Sequence, residues 1–501
     1  MHRPGATLGL FALLWLGAAA LFRKGWVRDP RGLAAAGAAA ALALVMIDRA
    51  GFLAWVLFGF ALTIAVQSVR VRDGEEAWRW AQRLVVHAVV AVAGPWIDLF
   101  RLDRNSRKRG RTLRLSGAVR LLLLPVVGGA VFLGLFASAN PLIGELLSRL
   151  RLPPLTEETV VRVAFWLATL IAIWGVLRPR WRRRLIALPS RQGRAMPDGA
   201  AASLILSLVV FNLLFAVQNG LDLAFLWSGA PLPEGVTLAE YAHRGAYPLI
   251  VTALLAGLFV LIFLRPGSET AARPLVRRLV MLWVGQNLLL VASSLLRTAD
   301  YIEVYSLTQF RIAAMIWMVL VGVGLGLICW RLLTNKNADW LINANAVAAL
   351  VVLTIVSAVD LGAVAASWNV RHAREIDGQG AQLDLCYLDS LNGAALVSLV
   401  ELEQRASDPA LKDRIAAVRA GQMAAMQAHQ AEWRSWRWRD ARRLDRVARL
   451  TAGRPLQAPL PGLRDCDGVI IPPSVTVPII APATTAPLAP VAPPLTSEAG
   501  A

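Results

Sequence analysis

Apolar blocks of roughly 16 to 20 residues recur along the first 360 residues, separated by charged or Pro/Gly-rich stretches. A helix needs about 20 apolar residues to cross a hydrocarbon core about 30 Å thick. Inside lipid the backbone must satisfy its own hydrogen bonds, so each block must be helical. The blocks are dominated by Ala and Leu and lack the short alternating strands of a membrane barrel. The expected fold class is therefore all-α, a polytopic transmembrane helix bundle. The overall content agrees: 56% of the 501 residues are hydrophobic and the mean hydropathy is +0.54, too apolar for a soluble chain of this size.

Ten spans are expected: Ala6–Phe22, Gly32–Ile47, Gly51–Val69, Leu121–Leu142, Val160–Leu177, Ala200–Val217, Tyr247–Leu264, Leu279–Leu296, Ile312–Trp330 and Leu341–Val359. The second is the weakest, being short and mostly Ala. Pro125 predicts a kink in the fourth.

Net charge is +19. Such a balance raises the possibility of nucleic acid as a partner, but no soluble basic domain with interleaved aromatics accompanies it. The basic residues instead sit in short loops between apolar blocks, where they orient a membrane protein. More positive charge follows the first block (Arg23, Lys24, Arg28, Arg31) than precedes it (Arg3), so the block reads as an uncleaved helix with its N-terminus outside. From that start, every Arg-rich loop falls in the cytoplasm. The richest are Arg104–Arg111 and Arg178–Arg184, and the opposite loops are poor in Lys and Arg. Ten spans return the C-terminal region to the outside. The segment Arg83–Phe100 would upset this count if it crossed. It is expected to be interfacial or re-entrant, broken at Gly94-Pro95, with both ends cytoplasmic.

Five regions follow. Residues 1–69 form a three-helix transmembrane segment, and 70–120 a basic cytoplasmic region with the interfacial helix. Residues 121–359 form a seven-helix core, 360–467 a small helical extracytoplasmic domain, and 468–501 a disordered Pro/Ala/Thr-rich tail. Cys386 and Cys466 lie on the outer, oxidising side, where a disulfide closing a loop of about 80 residues is expected. Cys329 is a lone packed thiol. The stretch Trp433–Arg443 is either a membrane-surface element or an amphipathic helix within the C-terminal domain.

Polar groups near membrane depth are costly and therefore candidate functional residues. They gather at the outer ends of the later spans: Asp222, Tyr241, His243, Arg244, Gln286, Asn287, Arg297, Glu303, Tyr305, Arg311 and Asn369. One reading has them line an outer vestibule, with Arg244, Arg297 and Arg311 facing Asp222, Glu303 and Asp360. The other has them cap and stitch helix ends. Gly322, Gly324 and Gly326 permit close helix approach. No metal-ligand spacing, phosphate loop, dinucleotide turn, nucleophile elbow or CxxC motif is found, so no catalytic residue, metal or cofactor is expected.

Several runs carry a resemblance. Asn212–Asn219, Leu232–Gly245 with its Tyr241-Ala-His243-Arg244-Gly245, Gln286-Asn287, Tyr301–Arg311, Trp368-Asn369 and Leu383–Leu388 resemble a bacterial family, domain of unknown function 4173, sister to family 4153. The resemblance covers about residues 120 to 400. It implies a bacterial inner-membrane protein and no particular activity. The expected role is that of an envelope-associated sensing, scaffolding or accessory protein, partnered by the lipid bilayer and an envelope protein, and more readily non-enzymatic than an enzyme. A secondary transporter of a small solute and a membrane transferase at the outer face are the alternatives.

Overall fold

The structure, a computed structural model, describes residues 4–22, 24–71, 75–108, 125, 128–129, 132–136, 157–178, 200–228, 251, 255 and 273–471. Among these residues there are helices and turns but no strand. The apolar part comprises α1 (Thr7–Phe22), α2 (Pro30–Asp48), α3 (Phe52–Ser68), α4 (Ala77–Lys108), α5 (Glu157–Leu177), α6 (Ala200–Asp222), α7 (Pro274–Tyr305), α8 (Gln309–Thr334) and α9 (Ala338–Ala358). The C-terminal part comprises α10 (Leu361–Arg371), α11 (Arg374–Asp377), α12 (Leu385–Ser390), α13 (Leu396–Arg405), α14 (Pro409–Ala431) and α15 (Trp438–Thr451). Six helices, α2 and α5 to α9, are long and apolar enough to cross a membrane by length and composition; α1 and α3 are apolar but shorter. The expected spans Leu121–Leu142 and Tyr247–Leu264 lie outside the described residues, apart from isolated positions.

The Ala-rich α2 forms because its neighbours accept it closely. Asp29 caps its first turn by accepting from the Arg31 amide, and Pro30 occupies the first position. Buried Ala36, Ala39 and Ala43 let α3 approach with Leu62, Ala65 and Val66. Gly9 of α1 is equally tight, since a Cβ there would lie 2.5 Å from the Ile47 side chain and 2.6 Å from the Ala43 carbonyl. Trp15, Trp55 and Phe58 fill the rest of this first core, their ring centroids 5.7–5.9 Å apart.

A second core joins α6 to α9 through Leu208, Val280, Trp283, Val284, Leu325 and Leu341. Within it α6 and α7 run parallel. The Asn212 amide donates to the Leu279 carbonyl at 3.1 Å and the Asn219 amide to the Gln286 carbonyl at 3.2 Å, a constant offset of 67. An antiparallel pair would hold the sum of the numbers constant, not the difference. Past Asp222 the helix widens into a π turn over Leu223–Trp227, and the next bond, from the Trp227 indole to Ser293 Oγ, has an offset of 66. One extra residue per turn accounts for that slip.

Two expectations are corrected here. The Arg83–Phe100 segment is not broken at Gly94-Pro95: α4 is continuous for 32 residues with Pro95 inside it. Proline removes one backbone bond and crowds the preceding turn. Close packing on α5 offsets this, because Gly175 presents no side chain to Ala91 and His87, and the Trp174 indole donates to Asp98 at 3.0 Å. Ordered structure also continues past residue 468. The Ile471 amide donates to the Leu463 carbonyl at 2.7 Å, and residues 472–501 lie outside the described residues.

The C-terminal helices bury a core of their own, with Leu385, Leu388, Leu399, Leu402 and Ile415 fully enclosed. Cys386 and Cys466 are joined in a disulfide, Cα atoms 4.6 Å apart, tying the final turn to α12. Cys329 is a free thiol, half-buried in α8.

Candidate functional site at the end of the bundle

The sequence-predicted polar residues separate into three groups. The first is a seam between α6 and α7. Asp222 and Arg297 form a buried ion pair, with side-chain exposures of 1% and 6%. The Gln218 amide also donates to Asp222, at 3.0 Å, and the Gln286 amide donates to Asn212 at 3.1 Å. Asn287 turns back to the Trp283 carbonyl of its own helix at 2.8 Å. The amide oxygens of Asn219, Gln286 and Asn287 find no donor among the described residues. A charge pair this enclosed is held by mutual neutralisation and by its hydrogen bonds.

The second group builds the turn between α7 and α8. Ser306 takes a positive φ of 68°, a region that favours glycine. The Arg311 guanidinium donates to the Ser306 carbonyl and, at 2.6 Å, to that of Tyr305, and it lies 4.5 Å over the Tyr301 ring. Tyr301 and Tyr305 stack with centroids 4.6 Å apart. Thr308 caps α8 by accepting from the Arg311 amide. Asn369 of α10 then clamps the turn from both sides: its oxygen accepts from the Leu307 amide at 2.7 Å and its amide donates to the Leu307 carbonyl at 3.0 Å. The Tyr387 hydroxyl accepts from the Gln309 amide at 2.9 Å. Three of the family-like runs, around Tyr305–Arg311, Trp368-Asn369 and Leu383–Leu388, thus meet at one turn.

The third group, Tyr241, His243 and Arg244, lies outside the described residues. Of the expected facing pairs, Arg297 meets Asp222, and the one made by Arg244 lies outside the described residues. Glu303 is exposed, and Arg311 serves the turn rather than Asp360. Among the described residues Asp222, Arg297, Arg311 and Asn369 are each engaged by a neighbour. Of the three glycines in α8, Gly324 alone meets a neighbour at close range: a Cβ there would lie 3.0 Å from Asn345.

Asp360 is engaged instead by residues that the vestibule reading did not include. It caps α10 by accepting from the Ala363 amide, and α15 reaches it with Arg443 and, at 3.6 Å, Arg439. Arg439 also donates to Asp48 at the end of α2 at 2.7 Å and to the Ala358 carbonyl at the end of α9 at 2.7 Å. Arg442 adds a second bond to Asp48. The N-terminus joins the same place: the Ala6 amide donates to the Trp436 carbonyl at 2.7 Å, and Arg437 donates to the Pro4 carbonyl at 3.1 Å. Gly5 fits flush, since a Cβ would lie 2.5 Å from the Arg434 carbonyl. This clasp borders a cleft of about 300 Å³ between bundle and C-terminal helices, lined by Asp48, Gln309, Asp360, Asp389, His429 and Arg439 among others. The one signal in the sequence was the arginine ladder 439, 442, 443 on a helix, paired with lone acids at two span ends.

Among the described residues that line the cleft there is no Ser, Thr, Cys or Lys nucleophile. Cys386, Cys466 and Asp467 are close enough to share an ion, their ligand atoms lying within 4.8 Å. With the two sulfurs bonded to each other, neither offers a thiolate.

Apolar helices of spanning length and, among the described residues, no strand define a helical membrane protein. The chain belongs to the family of domain of unknown function 4153, whose profile matches residues 9–402. Membership of family 4173 is not shown, and the match to 4153 takes in residues 9–100, which the resemblance had left out. No curated protein and no solved structure matches the chain.

Proposed function

We propose that the protein is a multi-pass bacterial inner-membrane protein with about ten spans and both termini extracytoplasmic. Its C-terminal domain, over 360–467, serves an envelope-associated sensing, scaffolding or accessory role toward an envelope protein partner. The observation that carries this reading is the clasp. The start of α1, the ends of α2 and α9 and the C-terminal helices meet at one end of the bundle. Termini on one side require an even number of crossings. The parallel pair α6 and α7 requires an odd number between them, in keeping with the single apolar block, Tyr247–Leu264, that the sequence places there. Arg-rich loops then fall together on the opposite side. There α4 begins against the first turns of α9, its Ala77 amide donating to Asn343 at 2.7 Å, and its Asp98 meets the end of α5. Both contacts suit a helix lying along the cytoplasmic face. The disulfide suits an oxidising compartment.

A domain tied to several span ends can pass strain between an outer partner and the bundle. Cross-linking intact cells with a membrane-impermeant reagent, followed by purification of the protein, should recover an envelope protein, and R439E/R443E should lower its yield several-fold. Recovery of cytoplasmic proteins alone would contradict the reading.

The donor-free amide oxygens in the α6–α7 seam favour a second reading, transport of a small polar solute. Uptake into sealed vesicles that is abolished by N219L/N287L would support it; wild-type vesicles that take up nothing would remove it.

A further inference from the structure

Beside the clasp, α15 carries a second, outward-facing set of arginines. A groove of about 440 Å³ runs between α10, α13 and α15, and Arg371, Arg442, Arg446 and Arg449 line it with Ser367 and Glu401. Arg439 and Arg443 also line it but are held by Asp48 and Asp360. The outer arginines are exposed, with side-chain exposures of 62% for Arg442, 60% for Arg446 and 68% for Arg449. Arg442 keeps its bond to Asp48 in the clasp, whereas the partners of Arg446 and Arg449 are weak competitors. Arg446 meets Glu401 at 3.3 Å and Arg449 meets Asp445, both exposed pairs of the kind that contribute little. Arg371 has no ion pair among the described residues.

The position of the groove selects the ligand. It opens near the end of the apolar α9: Val351 and Ile355 on α9, Val359 just past it and Val364 on α10 are exposed, and Ala363 of α10 is part of the groove wall. Trp438, 54% exposed, sits under Arg442 with the guanidinium 5.8 Å from its ring centroid, and exposed Trp433 and Trp436 flank the start of the helix. Indole rings beside guanidinium groups at the end of an apolar helix mark headgroup depth. We propose that this groove binds the phosphodiester headgroup of an anionic glycerophospholipid, its acyl chains lying along α9 and its phosphate oxygens taken by Arg371, Arg446 and Arg449. Guanidinium forks match phosphate oxygens two at a time, and basic residues at a membrane surface each add to binding of anionic lipid. The inference depends on the bundle lying in a bilayer, not on which side faces the cytoplasm.

The test titrates the full chain in a neutral maltoside detergent with short-chain phosphatidylglycerol, short-chain phosphatidylcholine and sodium phosphate, read by native mass spectrometry. Phosphatidylglycerol should bind about 10-fold or more tighter than either of the others. R371Q/R446Q/R449Q should lose about 10-fold or more of that affinity, and the surface control R454Q should lose none. Should the triple variant fail to fold, R371Q alone, which removes no ion pair, should still weaken phosphatidylglycerol binding measurably. Equal binding of phosphatidylcholine or free phosphate, or unchanged binding by the variants, overturns the proposal.

Discussion

Arg297 and Asp222 supply each other's solvation inside the bundle. Neither has water to turn to, so removing one leaves an uncompensated charge, at a cost of about 3–5 kcal/mol. Arg297→Ala should therefore lower the thermal midpoint in detergent sharply. D222L/R297M, which removes both charges and keeps volume, should recover most of the loss. A single variant as stable as wild type would show that the pair is solvated. A second carboxylate gives a pH signature. The Leu460 amide, at 2.8 Å, and Arg464, at 2.7 Å, hold the Asp413 carboxyl below its ordinary value of 3.8. A lowered folded-state value means that stability is fully present above 3.8 and is lost as pH falls through the folded value. Asp413→Asn should flatten the acid side of the stability profile below that pH, and an unchanged profile would contradict the assignment.

Among elements, the docking of the residues just before α1 is the most sterically exacting. Gly5→Val would drive a side chain into the Arg434–Trp436 backbone and should cost about 1–3 kcal/mol through overpacking. It should also expose the 432–437 turn to protease, and a wild-type digestion pattern would count against the contact. Most of the apolar helices were legible from block length alone, because lipid leaves the backbone no other choice. Their ends were less so: Leu279–Leu296 extends to Pro274–Tyr305, since polar residues such as Arg297 can stay helical once a partner on α6 neutralises them. The Gly94-Pro95 pair reads as a break in isolation, and only the facing Gly175 on α5 makes the continuous helix affordable. Asp222, Arg297 and the Tyr305–Arg311 run were visible as costly polar groups. That Asp48 and Asp360 pair with Arg439, Arg442 and Arg443 was not, because partners some 390 and 80 residues away leave no local pattern.

At the scale of the whole molecule, three cores are joined by the clasp, and one covalent tie closes the C-terminal part. The Cys386–Cys466 bond spans a sequence separation of 80. In the chain-entropy account a loop of that size contributes about 4–5 kcal/mol. C386S/C466S should lower the unfolding midpoint of the C-terminal helices strongly under non-reducing conditions, and wild type should match it once reductant is added; no difference would argue against the bond. The same clasp puts the N-terminus and the C-terminal helices at one end of the bundle: just before α15, the Trp436 carbonyl accepts from the Ala6 amide and the Arg437 guanidinium donates to the Pro4 carbonyl. The most direct measurement is a paired topology reporter fused after residue 471 of the full chain in a bacterial host. The account predicts alkaline phosphatase activity and a dark fluorescent protein at that position. A fluorescent fusion without phosphatase activity would place the C-terminal helices in the cytoplasm and contradict it.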